Sequence, residues 1–182
     1  MKDNIVIRPL TSVDLSPQML RTFKHKQQIT QKWVKNGNLW QLLSASELRE
    51  WSDEKREWIP QYLSWQTERG GCAIGAFAEN EIVGFGCVDG TIGGKFGKYS
   101  NFTMLFVDDD WKRKGIGKML FQNLCRCAMA IGAEKVFISA IPSFETVAFY
   151  LNMGCVDAKE IIAEFIDTEQ DRYLEYDLYG KK

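Results

Sequence analysis

The stretch Val107-Asp108-Asp109-Asp110-Trp111-Lys112-Arg113-Lys114-Gly115-Ile116-Gly117-Lys118-Met119-Leu120 constrains this chain more than any other. It reads as the end of a strand, a short basic glycine turn and the first turn of an amphipathic helix. A helix start of this kind offers several unpaired backbone N–H groups and the positive end of the helix macrodipole to an anion. Gly115 and Gly117 carry no side chain, so a large phosphate-bearing group can come up to the backbone. Lys112, Arg113, Lys114 and Lys118 add charge around the same point. The segment is a place to hold a pyrophosphate.

Spacing separates the phosphate motifs that compete for this description. A P-loop needs Gly-x-x-x-x-Gly-Lys-Ser/Thr, but Lys112 stands where its first glycine belongs and Met119 follows the lysine. The Gly97-Lys98 pair fails in the same way, with Ile92 and Tyr99 at the flanking positions. The dinucleotide fingerprint Gly-x-Gly-x-x-Gly begins at Gly115 and Gly117, but Leu120 occupies its third glycine. What fits is Gln/Arg-x-x-Gly-x-Gly/Ala directly before a helix. The bland reading is a glycine turn that merely starts a helix. Against it stands the next segment: a strand, Lys135–Pro142, then Ser143-Phe144-Glu145-Thr146-Val147-Ala148-Phe149-Tyr150-Leu151-Asn152-Met153-Gly154-Cys155. Ser143 is a fair N-cap and Gly154 a fair stop for a helix of about three turns.

Taken together and in this order, the two motifs resemble the GNAT family of N-acetyltransferases. The glycine turn is similar to that family's coenzyme A pyrophosphate loop, and Phe149-Tyr150-Leu151-Asn152-Met153-Gly154-Cys155 looks like its helix ending in Phe-Tyr-x-x-x-Gly-Phe. Lys112 departs from the usual Gln or Arg. The resemblance covers roughly residues 72–178 and implies an α/β (α+β) fold with a central, mixed, mostly antiparallel sheet of about seven strands flanked by helices. It implies one N-acetyltransferase domain over residues 1–182, with acceptor-side helices at about 14–69 and an acetyl-CoA-binding core at about 99–155. It further implies acetyl-CoA as acyl donor, and pantetheine amides pairing with backbone at Leu105, Phe106 and Val107 in a gap between two splayed strands. The pyrophosphate would rest on Lys112, Arg113, Lys114, Gly115, Ile116, Gly117 and Lys118, with Ser143 also on the cofactor side. Tyr150 matches the acid that protonates the departing thiolate. Its bland alternative is a packing tyrosine beside a core stripe of Phe144, Val147, Ala148 and Leu151.

Composition narrows the classes. The 182 residues suit a single core, and 45% of them are hydrophobic. A formal net charge of −1 gives no basic field for nucleic acid or an anionic membrane. No stretch approaches the ~18–20 apolar residues of a membrane span, and Met1-Lys2-Asp3-Asn4 opens no signal peptide, so a cytoplasmic protein is expected. Cys72, Cys87, Cys125, Cys127 and Cys155 form no Cys-x-x-Cys pair and read as reduced, mostly buried thiols. No metal site is expected.

Along the chain, Ile5–Pro9 reads as a strand, about Ser12–Arg69 as mainly helical, and Cys72–Glu79 with Glu81–Asp89 as a hairpin around Asn80. Tyr99–Val107 is a strand. The helix after Gly117 carries a stripe of Leu120, Leu124, Ala128 and Ile131, ended by Gly132. Strands at about Val156–Ile166 and Arg172–Tyr179 close the chain.

The acceptor side is less defined. An alkylamine with pKa near ~10 is neutral only about one part in a thousand at pH 7, so a base is called for. The strand Tyr99–Met104 holds no carboxylate; Asn101 or Thr103 could hold a water, and Asp89 or Glu145 could act from a neighbouring element. Trp51, Trp58 and Trp65 recur every seven residues, nearly one helix face, which serves either the core or an aromatic wall for the acceptor. Pro60 should interrupt or kink that helix. Glu47, Glu50, Asp53, Glu54 and Glu57 could draw a cationic amine or be a solvated face. His25, the one histidine, reads as surface. The expected activity is acetyl transfer from acetyl-CoA to a primary amine, small-molecule or peptide, by direct attack in a ternary complex. A homodimer is an allowed assembly. The rival is a non-catalytic acyl-CoA-binding sensor or interaction module.

Overall fold

The computed structural model describes residues 4–180. Its strands are β1 (Ile5–Pro9), β2 (Lys26–Asn36), β3 (Leu39–Glu50), β4 (Cys72–Ala78), β5 (Glu81–Val88), β6 (Tyr99–Val107), β7 (Lys135–Ala140), β8 (Val156–Asp157) and β9 (Arg172–Asp177). Its helices are α1 (Asp53–Glu68), α2 (Ile116–Ile131) and α3 (Phe144–Asn152). Seven strands form one sheet in the order β1-β4-β5-β6-β7-β9-β8, and β2 and β3 form a separate two-stranded ribbon. Every pairing in the large sheet is antiparallel except β6 with β7. The expected mixed, mostly antiparallel seven-stranded sheet is therefore present.

Each face of the sheet buries its own apolar layer. On one face α2 lays Ile116, Leu120, Leu124 and Ala128 against Ile74, Ala76, Val83, Phe102, Val136 and Ile138. Leu120, Leu124 and Ala128 of the expected stripe are buried, with Ile116 and Phe121 added, while Ile131 is only partly buried. On the other face Ile59 and Leu63 of α1 join Leu10, Leu20 and Phe23 over Phe85, Cys87 and Met104. Burial of a Leu or Ile side chain contributes roughly 1.5–3 kcal/mol, so these two layers dominate the fold's stability.

Residues 26–50 depart most from the sequence reading. Instead of helix they form a long antiparallel ribbon, with Asn36 opposite Leu39 and a turn through Gly37 at φ +62°. The two-residue loop is Gly37-Asn38, and the glycine at its first position supplies that positive φ at low steric cost. The ribbon is fastened to the body at the chain leaving β7: Trp33 donates its backbone N–H to Pro142 O at 2.7 Å, and Lys32 bridges Ser143. Arg172 adds a second fastening. Its guanidinium lies 5.0 Å from the rings of both Trp33 and Trp40 while binding Asp157 through two bonds of 2.7 and 2.9 Å.

Four further expectations change. Trp51 precedes α1, whose N-cap is Ser52, and Trp58 and Trp65 are 43% and 48% exposed, so the three indoles make no common core stripe. Pro60 lies buried inside α1 without ending it. The strand expected over Val156–Ile166 shrinks to Val156–Asp157, because Ile162 and Phe165 turn inward onto Tyr99 and Phe137 instead of alternating along a sheet edge. Cys72 of β4 and Cys127 of α2, with Cα atoms 6.1 Å apart, are joined as a disulfide, contrary to the reading of five reduced thiols. The packing of α2 across β4 brings them together. Burial pushes the free thiols of Cys87, Cys125 and Cys155 up to about 12, which leaves them unreactive as nucleophiles.

Candidate active site

The sheet opens between β6 and β7. Pairing holds for Tyr99 with Lys135, Ser100 with Val136 and Asn101 with Phe137, and there it stops. Beyond that point Phe102–Val107 and Ile138–Ala140 diverge and face each other across a cleft of about 780 Å³. Its walls include Leu105, Phe106 and Val107 of β6, Ile138, Ser139 and Ala140 of β7, and Phe149, Tyr150 and Met153 of α3. The backbone of β6 is paired with β5 on one side only over Leu105–Val107, so its cleft-facing amides and carbonyls are free to meet an extended ligand.

The glycine turn forms the outer end of this cleft. Asp108 caps a short 3₁₀ turn, Asp109–Trp111, and the chain then passes through Arg113 at φ +64° and Gly115 at φ +83° into α2. Gly115 is the N-cap and supplies no side chain, so the first N–H groups of this long helix are uncapped and open. Lys112, Arg113, Gly115, Ile116, Gly117 and Lys118 line the cleft. A Cβ on Gly117 would lie 3.2 Å from the Phe149 ring, so the turn is also packed closely against α3. Lys112 pairs with Asp109 at 2.5 Å, and Lys114 holds its ammonium 4.0 Å from the ring of Trp111, which lines the cleft. Ser143 is buried and does not line the cleft. Its hydroxyl caps α3, accepting from Thr146 N at 3.1 Å and from Gln27 Nε2 at 3.0 Å.

Tyr150 sits at the inner end of the cleft, 8% exposed, with its ring edge-on to Phe149 and tilted toward Phe121. It belongs to the buried stripe of α3 with Val147, whereas Phe144 and Leu151, expected in that stripe, face outward. Burial pushes the phenol far up, and the neighbouring Cys155 adds to the shift, so the hydroxyl keeps its proton at any physiological pH. Among the described residues it makes no hydrogen bond.

Sequence reasoning missed two groups here. His25 is not a free surface residue. Its ring lies tilted over Trp51 at 4.3 Å and meets Phe106 edge-on at 5.2 Å in the cleft wall. Its flanks are pinned by the acidic run, because Lys24 N donates to Asp108 Oδ2 at 2.7 Å and Lys26 N to Asp109 Oδ2 at 2.8 Å. Burial lowers the imidazole to about 4, with Lys112 contributing, so it is neutral at pH 7. The second group is Asp167, from the loop before β9, which lines the cleft beside Ser139. Of the earlier base candidates, Thr103 and Glu145 reach the cleft; Asn101 and Asp89 do not.

A half-open mixed sheet thus ends at an uncapped helix start at the mouth of the gap. The sequence model of the Acetyltransferase (GNAT) family matches residues 37–155. The chain belongs to that family, whose chemistry is acetyl-CoA-dependent acetylation. By structure it is similar to nourseothricin acetyltransferase, with a TM-score of 0.69 at 12% identity over 96% of this chain and 98% of the other. A protein from Bacillus anthracis described as a streptothricin acetyltransferase, in complex with acetyl coenzyme A, gives 0.64 at 14% identity, over 97% and 99%. The ribosomal-protein-S18-alanine N-acetyltransferase of Escherichia coli gives 0.53 at 17% identity, over 94% and 90%. At these identities the likeness is one of fold. Comparison with curated proteins by sequence yields no match.

Proposed function

We propose that this protein transfers an acetyl group from acetyl-CoA to a primary amine by direct attack within a ternary complex. The observation that carries the reading is the single cleft that joins the uncapped start of α2, the parted edges of β6 and β7, and the buried hydroxyl of Tyr150. The residues fit the donor. The N–H groups at Ile116–Lys118 would hold the pyrophosphate, helped by Arg113 and Lys118, and Leu105–Val107 would pair with the pantetheine amides. Acetyl-CoA supplies a thioester activated toward amines. Tyr150, kept protonated by burial, would deliver its proton as the thiolate departs. Relatives in the fold are named for acceptors as different as nourseothricin and a ribosomal-protein alanine, and acceptor choice here is left to the walls built by the start of β2 and the loop before β9.

The test is calorimetric titration with acetyl-CoA and coenzyme A, followed by thiol release from acetyl-CoA with a panel of amines. Binding with amine-dependent thiol release is expected. Tight binding without release on any amine would favour the non-catalytic acyl-CoA-binding module instead.

A further inference from the structure

The side chains of β7 alternate: Val136, Ile138 and Ala140 join the layer under α2 and α3, so Phe137 and Ser139 face the opposite side. Ser139 lies just past the last β6–β7 pair, on the edge of the fork, and lines the cleft. Its hydroxyl is fully engaged, donating to Asp171 Oδ2 at 2.8 Å and accepting from Asp167 N at 3.1 Å. These two bonds button the loop before β9 onto the fork. They leave Asp171 buried behind and place Asp167 on the cleft wall. Asp171 on its own loop and Lys55 on α1 act on Asp167, and the cleft's other charged side chains are Lys26, Lys112, Arg113, Lys118 and Glu145, with His25 and Tyr150 neutral.

We propose that Asp167 is the general base of the reaction and the anionic contact for a cationic primary-amine acceptor, with Ser139 and Asp171 as positioning residues. The inference rests on the amine-acetyltransferase reading above. The Asp167 carboxylate takes one proton from the acceptor's ammonium, and the freed lone pair forms the C–N bond to the thioester carbonyl carbon. As the C–S bond breaks, the thiolate takes the Tyr150 proton, and the remaining excess proton on nitrogen restores the tyrosine. Protonated Asp167 then releases its proton to solvent. The products are an acetamide, coenzyme A thiol and one proton. Crowding favours the assignment: burial first, and then Asp171, raise the Asp167 carboxyl, while Lys55 opposes them, so it is a stronger base than an ordinary aspartate. Glu145 also reaches the cleft, but from the first turn of α3, one turn before the Phe149 ring that packs on the glycine turn.

The experiment compares the full-length protein with Asp167→Asn and Asp167→Glu, using an accepted primary amine and measuring kcat/KM from pH 5.5 to 9.5. In the wild type, kcat/KM should fall as pH drops through the raised carboxyl value and stay level above it, until the amine itself titrates. Asp167→Asn should be at least about a hundredfold slower at pH 7. Its rate should climb about tenfold per pH unit with the free-amine fraction. Asp167→Glu should recover part of the loss, and acetyl-CoA affinity should hold in both variants. An Asn variant with wild-type rate and profile overturns the assignment, and a uniform fall with the wild-type profile overturns the proton-accepting role. A wild-type protein that binds acetyl-CoA yet acetylates no amine overturns the amine reading itself, and Asp167 with it.

Discussion

Replacing Arg172 with Ala should destabilise the protein by about 3 kcal/mol, and the structure supplies the parts of that figure. The guanidinium is 8% exposed, lies 5.0 Å from two indole rings and forks onto Asp157. A bidentate pair whose carboxylate is half in solvent contributes about 1 kcal/mol. Two cation–π contacts on a largely desolvated cation add roughly 2 kcal/mol between them. For a domain of this size the melting temperature should fall by about 6–12 °C, read by thermal denaturation alongside a urea titration. Asp157→Ala removes only the exposed partner and should cost about 1 kcal/mol, because the cation stays between the rings. Since β2 carries Gln27 and Gln28 into the cleft wall, Arg172→Ala should also raise KM for the acceptor more than KM for acetyl-CoA. If Arg172→Ala melts within 2 °C of wild type, a bound roughly set by that same scaling, the clamp is not holding the ribbon and the reasoning fails.

Gly117→Leu should weaken coenzyme A binding at least about tenfold by calorimetry, since its Cβ begins 3.2 Å from Phe149 and the rest must project toward the phosphate site. Unchanged affinity in a folded variant would remove the turn from the cofactor site. Tyr150→Phe should lower kcat by about a hundredfold or less with little change in KM for acetyl-CoA or in melting temperature, because the ring and its packing remain. Wild-type kcat at a pH where chemistry limits the rate would leave Tyr150 a packing residue. His25, lowered to about 4 when folded and near ~6.5 when unfolded, is bound to a proton more often in the unfolded chain between those values. Its contribution is therefore whole above about pH 6.5 and is lost as pH falls toward 4. His25→Phe should flatten that part of the stability profile, and an imidazole titrating near 6.5 by NMR would refute the buried placement.

What was legible in the sequence is what is written in consecutive residues. The glycine turn, the stripe of α2, the cap Ser143 and the stop Gly154 each depend on neighbours within a turn or two, and all form as local chemistry predicts. The ribbon of β2 and β3 departs from the helical expectation although Gly37-Asn38 is a hairpin signal. Its strands expose Leu39, Leu43 and Leu48 while Gln27, Lys32 and Glu47 are half-buried, which breaks the apolar alternation that marks a half-buried strand. Trp51, Trp58 and Trp65 suggested one face, but α1 begins after the first of them. His25 and Asp167 were invisible for a different reason. One is held by side chains of Asp108 and Asp109, the other by Ser139, and nothing nearby in sequence announces either contact.

The early end of the β6–β7 pairing has a mechanical consequence. Among the described residues, strand pairing joins a four-strand half, β1-β4-β5-β6, to a three-strand half, β7-β9-β8, through three residue pairs, with α2 packed across both. The two leaves are bound like a book along a short spine, and a ligand lying along both inner margins would splint them. Coenzyme A would then stabilise the protein as a whole by mass action. Locally, it would slow amide exchange most at the margins, Phe102–Val107 and Ile138–Ala140, and least at β1 and β8, the outer edges of the leaves.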